Sequence, residues 1–254
     1  MFSSNPFAEL SVSVSPSIMK TYVLVMILLV IGGTLFDIWH KKSALYFFDN
    51  WRKTKDKGEK DHGGVAGLAL QTAASEVLTS SEFCNPKRRI AHLLTMYGFI
   101  AYAFSTFVMV FWYSAAPGTA TPFLWPMLWF LGALSVCVGG YWFWFVIRAD
   151  VSAEGQSPFR LMRADLFIVS LLASVTLGLL WAISQSTFFL ALYLMATTLL
   201  FGSVPWSKFS HMFFKPAAAL QKRVANANGS RNNLPPPADK PEVFGSARRQ
   251  PSHY

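Results

Sequence analysis

The chain has 254 residues, 53% of them hydrophobic and 16% aromatic, with a formal net charge of +9. Uninterrupted apolar runs of 18 to 25 residues exclude an ordinary soluble domain, whose elements would show alternation or one-sided stripes. The basic balance would suggest nucleic acid as a partner, but no nucleic-acid-binding motif accompanies it, and the reading is of no nucleic-acid partner.

Residues 1–18 carry no Lys or Arg and one acidic residue, Glu9. A cleaved signal peptide starts with positive charge, so the first apolar run, Thr21–Trp39, reads as a retained anchor. Four more runs follow: Ile90–Tyr113, Phe123–Ile147, Leu166–Ile183 and Thr187–Pro205. Each approaches the roughly 20 residues a helix needs to cross a bilayer core. In lipid the backbone must satisfy its own hydrogen bonds, so runs of this length are helices. Tyr22, Trp112, Trp125, Trp181 and Trp206 fall near run ends, where amphipathic rings favour the interface.

Between the first two runs lies the segment 40–89. Its first part, to Asp61, is dense in charge; its second, from Gly63 to Phe83, places Val65, Leu68, Thr72 and Glu76 at spacings of three and four. That spacing fits a short helix at the interface or against a partner, and equally a loop with chance periodicity. Pro117–Gly118 marks a turn, and Ser184–Ser186 a tight hairpin between the last two runs. From about Ala225 the chain is rich in Pro, Asn, Ser, Arg and Lys, a composition too poor in apolar surface to fold alone.

The segments 40–89, 148–165 and 206–254 hold 21 of the 22 Lys and Arg residues, and the last, Lys20, sits at the first boundary. Basic residues stay on the cytoplasmic side. The fold class is therefore all-α: a bundle of five transmembrane helices, N-terminus outside and C-terminus inside. Residues 1–216 would form the membrane domain, with the cytoplasmic loop 40–89, and residues 217–254 a disordered basic cytoplasmic tail. The lipid bilayer is the first partner, with an anionic inner leaflet against the basic face.

Two cysteines, Cys84 and Cys137, fall in different compartments of this topology and cannot supply the four ligands of an iron–sulfur cluster. Two histidines, His92 and His211, lie at similar depth beside the second and fifth runs. Two imidazoles at one depth on different helices suit a bis-histidine haem b, with Arg88, Arg89 and Lys208 near enough in sequence to meet the propionates. The plainer reading makes both histidines interfacial polar residues at helix ends. Asp37, inside the first run, is costly in lipid and is a candidate for a quinone or proton role. Gly32–Gly33 and Gly139–Gly140 allow close helix approach. No nucleotide loop, HExxH sequence or nucleophile elbow is present, so an independent hydrolase or transferase is not expected.

The segments Arg88-Arg89-Ile90-Ala91-His92 and Pro205-Trp206-Ser207-Lys208-Phe209-Ser210-His211-Met212 resemble the membrane cytochrome b domain of the quinone-interacting oxidoreductase complex of sulfur metabolism. More distantly they resemble the gamma subunit of respiratory nitrate reductase. The preferred match is the small membrane subunit associated with adenylylsulfate reductase. The resemblance implies a bacterial inner-membrane protein, itself non-catalytic. It would link a cytoplasmic adenylylsulfate reductase, a flavin and iron–sulfur enzyme, to the quinone pool through one haem b held by His92 and His211. Where a two-haem member has its second histidine pair, this chain has Tyr102 and Tyr193, so a second haem is not expected. The alternative function is a haem-free membrane anchor for the same or another redox enzyme.

Overall fold

A computed structural model describes residues 4–40, 43–56, 64–81, 83, 85–147, 161, 165–207 and 211–229. The described residues are helical, with no strand among them. In chain order they form α1 (Pro6–Leu10), α2 (Pro16–His40), α3 (Ser43–Asp56), α4 (Val65–Thr72), α5 (Pro86–Trp112), α6 (Leu124–Trp142), α7 (Leu166–Ser184), α8 (Thr187–Gly202) and α9 (His211–Ala227). Helix α4 continues as a π-helical stretch, Ala73–Leu78, and α6 as another, Phe143–Ile147.

Four helices are long and apolar enough to cross a membrane: α2, α5, α6 with its extension, and α7. They match the first four apolar runs. Helix α8, the fifth run, has 16 residues, about 24 Å at 1.5 Å per residue, and is followed by a 3₁₀ turn, Val204–Trp206.

Local chemistry sets the ends. Asn85 caps α5, its side chain accepting from Lys87 N at 2.9 Å, with Pro86 in the first turn, where no amide partner is lost. Gln185 closes α7 in the left-handed region (φ 51°), and the chain turns at once into α8. The two helices form the expected hairpin.

Helix α5 packs on α6, α6 on α7 and α7 on α8, while α2 leans on α8 and on the Val204–Trp206 turn and touches α5 more lightly. The α5–α6 seam is close because it is built on glycine. A Cβ on Gly98 would sit 2.8 Å from Gly132 O, and one on Gly139 would sit 2.6 Å from Ala91 O. Gly33 likewise faces Val204 and Pro205. These contacts assign Gly33 and Gly139 to helix packing.

Lipid offers no hydrophobic drive between helices, so polar contacts add to the packing. Tyr22 of α2 donates to Leu194 O of α8 (3.0 Å), Ser135 of α6 to Leu94 O of α5 (2.9 Å), and Tyr102 of α5 to the Tyr193 hydroxyl of α8 (3.0 Å). Tyr141 of α6 meets Thr176 of α7 at 2.8 Å, and Ser174 of α7 meets Thr197 of α8 at 2.7 Å.

Trp181 departs from the interfacial place its position suggested. It is 1% exposed, stacked on Tyr193 at 5.7 Å, and covered by Phe7. Phe7 belongs to α1, which closes this end of the bundle: its ring lies 5.3 Å from Trp181 and 6.0 Å, edge on, from Trp129. Asn5 caps α1 through Phe7 N and donates to Tyr113 O (2.9 Å) and Thr121 (3.2 Å), tying the first residues to the α5–α6 connection.

At the opposite end α3, the α4–π segment and α9 form a second layer. The periodic stretch after Gly63 is a helix, and its partner is α9 of the same chain: Arg223 donates to Ser75 (2.7 Å) and pairs with Glu76 (3.2 Å). The charge-dense stretch before it, read as loop, contains α3, and Asn228 donates to Thr54 O at 2.9 Å. The tail expected to be disordered from 217 instead continues α9 through Ala227, with Val224 and Ala225 buried. Residues 230–254 lie outside the described residues.

Candidate functional site

Arg88, Arg89 and His92 lie at the end of the bundle that carries α9. Helix α5 begins there, and its first two turns present Arg88, Arg89 and His92. Phe83, just before the Asn85 cap, folds back on them. Its ring centroid lies 4.9 Å from that of His92, and Arg88 stands over the same ring at 5.5 Å. The third neighbour comes from α9: Lys215 Nζ is 5.1 Å from the Phe83 centroid. A cation over an aromatic face is attracted by the ring quadrupole, so Phe83 gathers a half-buried imidazole and two cations from two helices.

Arg89 is committed elsewhere. Its Nε donates to Thr79 O at 2.7 Å, and Tyr97 donates to Leu78 O at 2.6 Å. Together they fasten the end of the π segment to α5. Arg89 therefore acts as a structural clamp, and Arg88 is the arginine beside His92.

His211 opens α9, one helical turn before Lys215 on the same face, since residues four apart lie above one another. The side chain of His211 and all of Lys208 lie outside the described residues. Lys215 brings the first turn of α9 to the Phe83 cluster. The described residues thus gather one imidazole, an aromatic ring and two cations. Among the described residues no group of three His, Cys, Asp or Glu side chains gathers to bind a metal ion.

Asp37 faces the bundle and not the lipid. Its exposure is 3%, and with Met19 and Met26 it makes up the buried set of a helix otherwise largely bare. It lies one turn past Gly33, on the face that meets the Val204–Trp206 turn. The Thr34 hydroxyl beside it is buried without a hydrogen-bond partner among the described residues. Asp37 and the Thr34 hydroxyl are thus buried polar groups in an otherwise apolar helix.

Tyr102 of α5 and Tyr193 of α8 form a buried pair, their hydroxyls bonded directly at 3.0 Å. Gly178 of α7 makes room for it: a Cβ there would lie 3.0 Å from the Tyr102 hydroxyl and 3.2 Å from the Tyr193 ring. The direct bond and its glycine were not legible in the sequence, because they depend on three helices meeting at one depth. Phe83 was missed for a similar reason, its role coming from Lys215, 132 residues away. Comparison with known protein families, curated proteins and solved structures finds no match to this chain.

Proposed function

We propose that the chain is a five-span membrane subunit, N-terminus outside and C-terminus inside, that anchors a cytoplasmic redox enzyme and exchanges electrons between it and the quinone pool. The partner implied by the sequence resemblance is adenylylsulfate reductase. The observation that supports this most is the Phe83 cluster, which joins His92 and Arg88 of α5 to Lys215 of α9 at the basic end. In this reading His92 and His211 would hold one haem b, which would supply a one-electron station. Arg88 and Lys215 offset the propionate charge. Asp37, buried at the neighbouring junction, holds or moves the proton that quinone chemistry requires. Helix α8 serves as the fifth span, completed by the Val204–Trp206 turn. The layer of α3, α4 and α9 forms the docking face, with Arg52 (75% exposed) and Lys53 on its surface.

A reduced-minus-oxidised absorption spectrum of the purified protein tests the haem. The expected result is a b-type band that His92→Ala and His211→Ala each abolish. A protein without such a band is the haem-free anchor. Charge reversal, Arg52→Glu with Lys53→Glu, tests docking: the partner should leave the membranes, and raised salt should weaken the wild-type association, because exposed pairs are screened beyond about 8 Å. Partner retention under both treatments would move the docking face elsewhere.

A further inference from the structure

Inside the bundle, between α2, α5, α7 and α8, lies a cavity of about 430 Å³. On α2 its wall runs from Ile18 to Ile31, about 20 Å along the helix axis at 1.5 Å per residue. It is therefore long and parallel to the spans. Its walls are almost wholly apolar, and the few hydroxyls that reach it are already bonded within the protein. Tyr22 bonds Leu194 O and Thr198, Tyr102 bonds Tyr193, Thr106 bonds Tyr102 O, and Ser174 bonds Thr197. Among the described residues no charged side chain lines the cavity. Apolar cavities stay dry and take apolar guests, and unfilled they forfeit the dispersion contacts of their lining.

The cavity has a side opening and a polar end. Ile18, Ile27 and Ile31 line it and are also exposed on the outer surface, so it opens sideways along α2, where contact with α5 is light. At the α1 end it adjoins a second pocket of about 270 Å³, with Leu10 and Leu190 in both walls. That pocket is polar, lined by Glu9, Ser13, Gln185 and Thr187. A long apolar slot parallel to the spans, open to lipid and ending in a polar pocket, has the form of an amphiphile site. Glu9 is the one charged residue among the described residues that line this pocket.

We propose that this cavity holds one acyl chain of an amine-headed phospholipid, entering between α2 and α5, with its ammonium beside Glu9. The chain fills the slot between the helices, and the head closes the α1 end. His92 and Asp37 do not line the cavity, and the proposed lipid does not depend on haem.

The test uses the full chain in mild detergent with added palmitoyl-oleoyl phosphatidylethanolamine, counting retained lipid by native mass spectrometry. Wild-type protein should keep one lipid per chain through delipidation. Ala103→Phe on α5 and Val23→Phe on α2 fill the slot from different helices, so one remains informative if the other misfolds. Each should lower retention by about tenfold or more, the equivalent of roughly 1.4 kcal/mol. Glu9→Gln should remove the preference for the ethanolamine lipid over palmitoyl-oleoyl phosphatidylglycerol. Any of four results would overturn the assignment: no retention by wild type, wild-type retention in both filled variants, an unchanged preference in Glu9→Gln, or a prenyl quinone retained in place of the phospholipid.

Discussion

A hydroxyl pair and a missing side chain govern the centre of the bundle. Tyr102 and Tyr193 bond at 3.0 Å only because Gly178 leaves them space. Gly178→Ala should push the Tyr102 hydroxyl away and cost about 1–3 kcal/mol, as overpacking in a filled core does, read as a lower thermal midpoint in detergent. Tyr193→Phe removes one interhelical hydrogen bond without changing ring shape. Such bonds in membranes average roughly 0.6 kcal/mol and reach about 1.7, so a smaller drop is expected. If Tyr193→Phe proved the more damaging of the two, the hydroxyl bond and not the space would hold α5, α7 and α8 together.

Among the elements, the α5–α6 seam and the α4–α9 pair differ in kind. The seam is backbone against backbone through Gly98, Gly132 and Gly139, and no side chain can yield to a new Cβ there. Gly132→Ala should therefore be among the most destabilising alanine substitutions in the protein, at about 1–3 kcal/mol or more, measured by thermal unfolding in detergent. The α4–α9 pair rests on Arg223 with Ser75 and Glu76, all only partly buried. Hydrogen bonds to charged groups contribute about 1.5–3 kcal/mol. Partial exposure lowers this to about 1–2 kcal/mol, so Arg223→Ala should speed amide exchange across Val65–Leu78 by roughly five- to thirty-fold while exchange in α5–α8 is unchanged. Equal exchange in variant and wild type would mean that apolar packing alone holds the layer.

For the whole molecule, closure depends on the first dozen residues. Phe7 sits between Trp129 and Trp181, and Asn5 ties α1 to Tyr113 and Thr121. Phe7→Ala leaves a cavity at the meeting point of α1, α6 and α7, with an expected cost of about 3–5 kcal/mol, read as loss of thermal stability and faster exchange at Trp181. Orientation is tested on the same scale. A reporter fused after Tyr254 should be cytoplasmic and one at Gly118 external, since 21 of the 22 basic residues lie in the segments placed inside. An external C-terminus would reverse the orientation or remove α8 from the spans.

Hydropathy alone determined that this is an all-helical membrane protein and located its long spans to within a few residues, because a backbone in lipid has to form helices wherever the apolar run is long enough. Pro117–Gly118 and the Ser184–Ser186 turn likewise marked connections whose hydrogen bonds are local. The sequence also singled out His92, Arg88 and Asp37, since charge and imidazole beside apolar runs are visible in one dimension. Hydropathy did not show α3, nor the continuation of α9 to Ala227: both are amphipathic helices held by contacts to other helices of the same chain. It did not separate Arg89, bonded to Thr79 O, from Arg88, beside His92. Nor did it show that Trp181 is core, or that Phe7 covers it. Those facts depend on which helices meet and at what depth, a geometry set by the glycine seams and interhelical hydroxyls, and only the tertiary structure could decide it.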